Sequence, residues 1–170
     1  RIAPREDLGY AENFFNMCFG EVPEAEVLRC FDVSMILYAE HSFNASTFTA
    51  RTIISSLADI YGAVTGAIAS LKGPLHGGAN EAVIDMLLEI GWPESAQAWL
   101  DAALSKRKEG MGFGHRVYRS GDSRVPTMHK AFLDMAKIKG GDDWVKIEEI
   151  VEKTMVGRKG IYPNLDCPTG

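Results

Sequence analysis

Residues 59–78 constrain the fold more tightly than any other stretch of this chain. Ile60, Val64, Ala67, Ile68 and Leu71 recur at i, i+4, i+7, i+8 and i+11, which lines one face of an α-helix and cannot line one face of a strand. Asp59 stands ahead of the stripe, where a side-chain cap is wanted, and the stripe ends in the breaker cluster Lys72-Gly73-Pro74-Leu75-His76-Gly77-Gly78. Gly62 and Gly66 lie inside the predicted helix, where each costs about 1 kcal/mol relative to alanine. The expected return is close backbone approach by another helix, from the same subunit or across a dimer. A membrane-type pairing is excluded, because the segment is short and bordered by Asp59 and Lys72.

The rest of the chain alternates helix and breaker in the same way. Residues 21–40 carry Val27, Leu28, Phe31, Met35, Ile36 and Leu37 at helical spacing, with Pro23 suited to a first turn. Further helices are predicted from Ser46 to about Leu57, from about Asn80 to Glu89, and over 94–108, where Lys106, Arg107 and Lys108 suit a helix C-terminus. Two more span about 125–138 and 143–156, and the tail 161–166 is expected to be extended. The sequence reads as all-α, with no internal repeat and no low-complexity segment.

Composition narrows the function classes. Of 170 residues, 46% are hydrophobic and 24% charged, the profile of a globular protein, and no apolar run nears the roughly 18 residues a membrane span needs. A net charge of −5 argues against a broad nucleic-acid surface, so any anionic ligand must be met by local positive groups. Cys18, Cys30 and Cys167 are odd in number and form no CxxC, which disfavours disulfides and zinc and fits a reducing, cytoplasmic compartment. The chain opens Arg1-Ile2-Ala3-Pro4 and stops at Pro168-Thr169-Gly170, which reads as a piece of a longer protein.

Three of the four histidines fall in helix-breaking or polar clusters: His41, His76 and His115. His129 lies within a predicted helix and is read as a surface residue. At the start of a helix, His76 is disfavoured as imidazolium, and a neutral ring there can hydrogen-bond a carbonyl turning into an enolate. The competing reading, a histidine that merely satisfies loop backbone, has equal weight. His115 closes a loop in which Gly110, Gly112 and Gly114 permit close approach of a ligand, although the pattern is not GxGxxG and no strand precedes it. Arg116, Arg119 and Arg124 follow; an arginine beside a histidine can fork onto a carboxylate, whereas Arg116 is read as part of a solvated basic patch. Asp166, in an otherwise apolar stretch, is either a carboxylate of raised pKa suited to carbon-acid chemistry or a turn-capping aspartate. The histidines have no HxH or HxxxH spacing, so no metal site is expected.

Four motifs in order resemble the citrate synthase family. They are Glu40-His41-Ser42-Phe43-Asn44-Ala45-Ser46-Thr47, Gly73-Pro74-Leu75-His76-Gly77-Gly78-Ala79-Asn80-Glu81, Gly112-Phe113-Gly114-His115-Arg116-Val117-Tyr118 and Pro163-Asn164-Leu165-Asp166. The resemblance covers nearly all of the chain beyond about residue 30. Residues 121–128 look most like the actinobacterial 2-methylcitrate synthase branch.

The resemblance implies a citrate synthase-like, two-domain helical fold. The chain would hold the C-terminal part of the large domain with its dimer-interface helices (1–76) and the small domain (77–170). It also implies condensation of propionyl-CoA or acetyl-CoA with oxaloacetate, then thioester hydrolysis, by a homodimer with no resident cofactor. Asp166 would be the base on the acyl-CoA α-carbon, His76 the partner of the thioester oxygen, and His115 the acid on the oxaloacetate carbonyl. His41, Asn44 and Arg124 would bind oxaloacetate. Gly110, Met111, Gly112, Phe113 and Gly114 would contact CoA, with Arg119 near its phosphates. Further substrate-binding arginines of the family lie beyond the Asp166 motif, so the 170 residues alone are expected to be inactive. A non-catalytic helical assembly module, or a related condensing enzyme or lyase acting on another 2-oxo acid, is the competing reading.

Overall fold

The computed structural model describes residues 1–39, 41, 44–106, 110–115 and 117–169. Among them are eight α-helices: α1 (Tyr10–Phe19), α2 (Ala25–Tyr38), α3 (Ala45–Ser55), α4 (Ile60–Leu71), α5 (Ala79–Ile90), α6 (Pro93–Ser105), α7 (Val125–Lys139) and α8 (Asp142–Lys159). A short 3-10 turn, Cys167–Thr169, follows. The all-α reading is therefore correct. Extended pairing among the described residues is confined to an isolated antiparallel bridge between Phe113 and Pro163.

Local chemistry explains most of the boundaries. Asp59 caps α4 by accepting from the Gly62 N–H at 2.8 Å, as expected. Asn44 caps α3 by accepting from the Thr47 N–H at 2.7 Å. Pro93 sits in the first turn of α6, and α8 carries Asp142 and Asp143 at its start and Arg158 and Lys159 at its end, matching the helix dipole.

Several expectations need correction. The helix expected over 21–40 begins only at Ala25, with Glu24 at its N-cap, so Pro23 precedes the helix instead of opening it. The one expected over 94–108 ends at Ser105; Arg107 and Lys108 lie outside the described residues. The tail is extended through Asn164 but turns at Leu165 and Asp166. Helix α1 is additional to the expected elements. Its first turn is tied by the Glu12 carboxylate, which accepts from the Gly9 N–H at 2.7 Å, and Gly20 ends it at φ 83°. The Phe14 and Phe15 rings lie 4.5 and 5.2 Å from that of Phe31, which seats α1 on α2.

The core gathers Val83, Met86, Leu87 and Ile90 of α5, Ala96 and Leu100 of α6, and Ile147, Val151 and Met155 of α8. Helix α2 packs on α7, whereas α3 and α4 pack chiefly on each other. At Gly66 the space a Cβ would take is filled by Cδ1 of Ile53 on α3. What approaches Gly66 within the chain is thus a side chain of α3, where backbone was expected. At Gly62 a Cβ would meet only Asp59.

Candidate active site

A cleft of about 1200 Å³ opens where the C-terminal end of α2, the start of α3, the α4–α5 connection, the loop 110–115 and the tail 161–166 converge. His41, Asn44, His76, His115, Arg124 and Asp166 all line it, together with residues 110–114. Residues far apart in sequence are thereby brought to one place. Arg119 is exposed and outside the lining, and Arg116 lies outside the described residues.

The breaker cluster delivers His76 through close packing. A Cβ on Gly77 would lie 2.6 Å from the Leu71 carbonyl oxygen, so only glycine lets the chain fold back onto the end of α4. The Ser46 N–H, whose direction the backbone fixes, donates to His76 Nε2 at 3.3 Å. That nitrogen must offer a lone pair, so the proton of the neutral ring sits on Nδ1. The Ser46 hydroxyl stands 2.9 Å from the same nitrogen and 2.9 Å from Asn44 Oδ1, and its single proton is shared between these two acceptors.

His115 carries the opposite tautomer. Its Nδ1 accepts from the N–H groups of Val117 and Tyr118 at 3.0 and 3.1 Å, which places the ring proton on Nε2. Nε2 lies 2.7 Å from His41 Nε2, and the Tyr118 ring stacks on His115 at a centroid distance of 4.5 Å. Burial, reinforced by His41 and the Arg124 charge, lowers the His115 pKa below the ordinary histidine value. His41 Nδ1 is buried without a hydrogen-bond partner among the described residues.

Arg124 stands at the N-cap of α7 and is held by Asp122, whose side chain is fully buried. Asp122 accepts from Arg124 Nε at 3.0 Å, from Nη2 at 2.7 Å and from the Arg124 backbone N–H at 3.0 Å. Burial pushes the Asp122 carboxyl up, but these bonds and the arginine charge outweigh it and hold its pKa below the usual range. Nη1 donates to the Leu37 carbonyl at 3.4 Å. A guanidinium has about five N–H donors, so roughly two are left for a ligand.

Asp166 is tied to the glycine loop. Asn164 donates its N–H to the Gly112 carbonyl and its Nδ2–H to the Gly114 carbonyl, each at 2.9 Å, and its Oδ1 accepts the Asp166 N–H at 2.9 Å. The Tyr38 hydroxyl donates to Asp166 Oδ1 at 2.7 Å. Burial raises the Asp166 pKa, against the lowering effect of Tyr38, Arg124 and His76, in the direction expected of a carboxylate in apolar surroundings. Met111 and Phe113 also pack against the core.

Residues 1–170 match, over their whole length, the family described as citrate synthase, C-terminal domain. The chain belongs to the citrate synthase family. Within it, the 2-methylcitrate synthase of Mycobacterium tuberculosis is 57% identical over 169 residues, 99% of this chain and 43% of the relative. A citrate synthase of Mycolicibacterium smegmatis is 58% identical over 169 residues, 99% of this chain and 45% of the relative. The citrate synthase of Thermoplasma acidophilum, solved as a ternary complex with carboxymethyl coenzyme A and oxaloacetate, superimposes with a TM-score of 0.88 at 36% identity, over 96% of this chain and 44% of that structure. The chain thus spans less than half the length of these citrate synthase relatives.

Four residues that organise the site are absent from the candidates that the sequence offers. Tyr38, Ser46, Asp122 and Asn164 each orient a neighbour through a hydrogen bond. Ser46 and Asn164 stand within the family motifs and Asp122 within residues 121–128, each two residues from a candidate, which is the signal that points to them. Tyr38 has none beyond its place three residues before His41.

Proposed function

We propose that the protein carrying this chain joins an acyl-CoA to oxaloacetate and hydrolyses the resulting thioester, with propionyl-CoA as the favoured donor. The observation that carries the reading is the convergence in one cleft of His76, whose Nε2 faces the Ser46 N–H, of His115, whose Nδ1 accepts two backbone N–H groups, and of Asp166, whose pKa burial raises. Carbon–carbon bond formation from a thioester needs a base on the α-carbon, a donor to the developing enolate oxygen and a donor to the carbonyl under attack. Asp166 removes the α-proton. His76 donates Nδ1–H to the thioester oxygen. His115 donates Nε2–H to the oxaloacetate carbonyl and protonates it as the bond forms, with His41 at the same position and Arg124 on a substrate carboxylate. Asn44 completes the oxaloacetate side of the cleft. Water then cleaves the acyl-CoA product, releasing CoA as its thiol and the tricarboxylate.

The donor assignment follows the 2-methylcitrate synthase relative, and acetyl-CoA with a citrate synthase activity is the second reading, favoured by the Mycolicibacterium relative. One methylene in a pocket is worth only ~1–3 kcal/mol, so both donors can be used; the ratio of their kcat/KM values decides between the readings. The loop 110–114 contacts CoA, supported by Gly112 and Gly114 at φ 79° and 83° on the cleft wall, with Arg119 near the phosphates. Residues 1–76 belong to a large domain and 77–170 to a small one, supported by the α3–α4 pair packing on itself and by a core formed wholly from α5, α6 and α8. The exposed apolar side chains of α3 and α4, with Leu57 between them 95% exposed, support a homodimer. The unpaired thiols of Cys18, Cys30 and Cys167 suit the cytoplasm.

Asp166→Asn in the whole protein tests the assignment. Solvent exchange of the acyl-CoA α-proton should be abolished while oxaloacetate still binds; exchange at the wild-type rate removes Asp166 as the base.

A further inference from the structure

We propose that Tyr38 is a positioning residue for the proposed base: its hydroxyl fixes one oxygen of Asp166 and leaves the other to take the substrate proton. This role rests on the condensation reading of the cleft. Tyr38 is the last residue of α2, 128 residues away from Asp166 in sequence, and its hydroxyl donates to Oδ1 at 2.7 Å. An ionised carboxylate can only accept, so the single phenolic proton is committed to Asp166. The Thr169 hydroxyl lies 2.9 Å from the same phenol oxygen and 3.1 Å from the Leu165 carbonyl and shares its single proton between these acceptors, so the phenol oxygen meets the turn that carries Asp166.

Two consequences follow for proton abstraction. With Oδ1 occupied, abstraction falls to Oδ2, and the carboxylate plane is held against rotation about its last torsion, which is otherwise broad. The phenol also stabilises the charged form of a carboxyl that burial drives towards the neutral form. The other groups acting on Asp166 are Arg124 at the start of α7 and His76 between α4 and α5, which favour its charge, and Asp122, which opposes it. His115 and Cys167 face it as well, each feeling its charge. Of these groups, Tyr38 is the one hydrogen-bonded to the Asp166 side chain, whereas Arg124 acts through its charge and is forked onto Asp122. Tyr38 is thus the donor whose proton belongs to the base.

The experiment is Tyr38→Phe in the whole protein, which keeps the ring and removes the hydroxyl. Exchange of the acyl-CoA α-proton and kcat should fall about tenfold, with KM for oxaloacetate within about twofold of wild type. The acid limb of the kcat profile should move to higher pH by about half a pH unit or more, because the ionised base has lost a donor. A purely structural role would not move that limb. Incorporation of 3-fluorotyrosine at position 38 is the second arm: its more acidic hydroxyl donates more strongly, so the limb should move to lower pH without disturbing packing. An acid limb unmoved in both variants overturns the proposal. Asp166→Asn serves as reference. If it leaves exchange intact, the underlying reading fails; if it abolishes exchange while the limb stays fixed, only the role of Tyr38 fails.

Discussion

Replacing Gly112 with alanine should damage catalysis far more than its small size suggests. Gly112 sits at φ 79°, and a Cβ there would lie 2.8 Å from Val83 Cγ2, 2.9 Å from the α-carbon of Cys167 and 3.1 Å from the Cys167 nitrogen. The left-handed conformation costs an L-residue about 1–2 kcal/mol, and forcing an extra carbon into a packed site costs about 1–3 kcal/mol more. Val83 is in the core and the other two atoms are backbone, so the side chain of a flexible neighbour cannot absorb the clash. Widening the approach to the Cys167 α-carbon from 2.9 Å to the 3.4 Å of ordinary van der Waals separation shifts the backbone next to Asp166 by about half an ångström. A misplacement of ~1 Å costs about a hundredfold in rate, so about tenfold in kcat is expected here. Gly140→Ala is the control: its φ is 73°, and a Cβ there meets nothing within 4 Å. Both variants of the whole protein should lose the conformational contribution in urea unfolding, but only Gly112→Ala should lose the additional ~1–3 kcal/mol and the kcat. Equal kcat in the two variants, measured by CoA thiol release from propionyl-CoA and oxaloacetate, would refute the reasoning.

Asp122→Asn should raise KM for oxaloacetate at least tenfold and lower stability by about 2–4 kcal/mol, since it leaves the Arg124 guanidinium, only 16% exposed, without its buried counter-charge; a KM unchanged in steady-state kinetics would show that Arg124 needs no such support. Glu148 is buried beside His129 Nε2 at 3.2 Å and the Cys167 thiol at 3.8 Å, and burial raises its pKa above the ordinary 4.5. A carboxyl whose folded-state pKa is raised favours the fold at acid pH, and that contribution is lost as pH rises through the raised value. Glu148→Gln should therefore gain stability relative to wild type on going from about pH 5 to about pH 8, read from urea midpoints; a gain that shrinks with rising pH would reverse the sign of this argument.

Legibility in the sequence follows the range of the interaction. Helix α4 and its Asp59 cap can be read because stripe, cap and breaker all lie within twenty residues. Helix α1 is hidden because its aromatic face is matched by Phe31 on another helix and its ends are marked by glycines instead of a polar cap. His76, His115 and Asp166 are legible because Gly, Pro or Asn isolate each from regular structure. His129 reads as a surface residue, yet it is half-buried against Glu148, which lies on a different helix. Tyr38 escapes for the same reason: a tyrosine at a helix end says nothing of a carboxylate 128 residues away. Asn44 shows that one residue can serve two readings, since the side chain expected to meet substrate is also the cap of α3.

The hydrogen bonds divide the candidate site into two units. The loop carrying His115 and the tail carrying Asp166 are clasped by Asn164 N–H to the Gly112 carbonyl at 2.9 Å and Gly114 N–H to the Tyr162 carbonyl at 2.8 Å. The proposed acid and base therefore keep one geometry relative to each other, and Gly112 lies at the centre of the clasp. His76 is fixed separately, through Ser46 at the start of α3. A reaction that forms an enolate and then attacks a second carbonyl is served by such a clasp: the proposed base and acid act on different molecules in successive steps and keep their register between them. The contact from Tyr38 to Asp166 ties α2 to the tail side of the clasp, and His41, just beyond α2, meets its loop side through His115 Nε2 at 2.7 Å. The sequence motifs mark the reacting groups, while the contacts that set their relation come from residues outside those motifs or from unremarked positions within them.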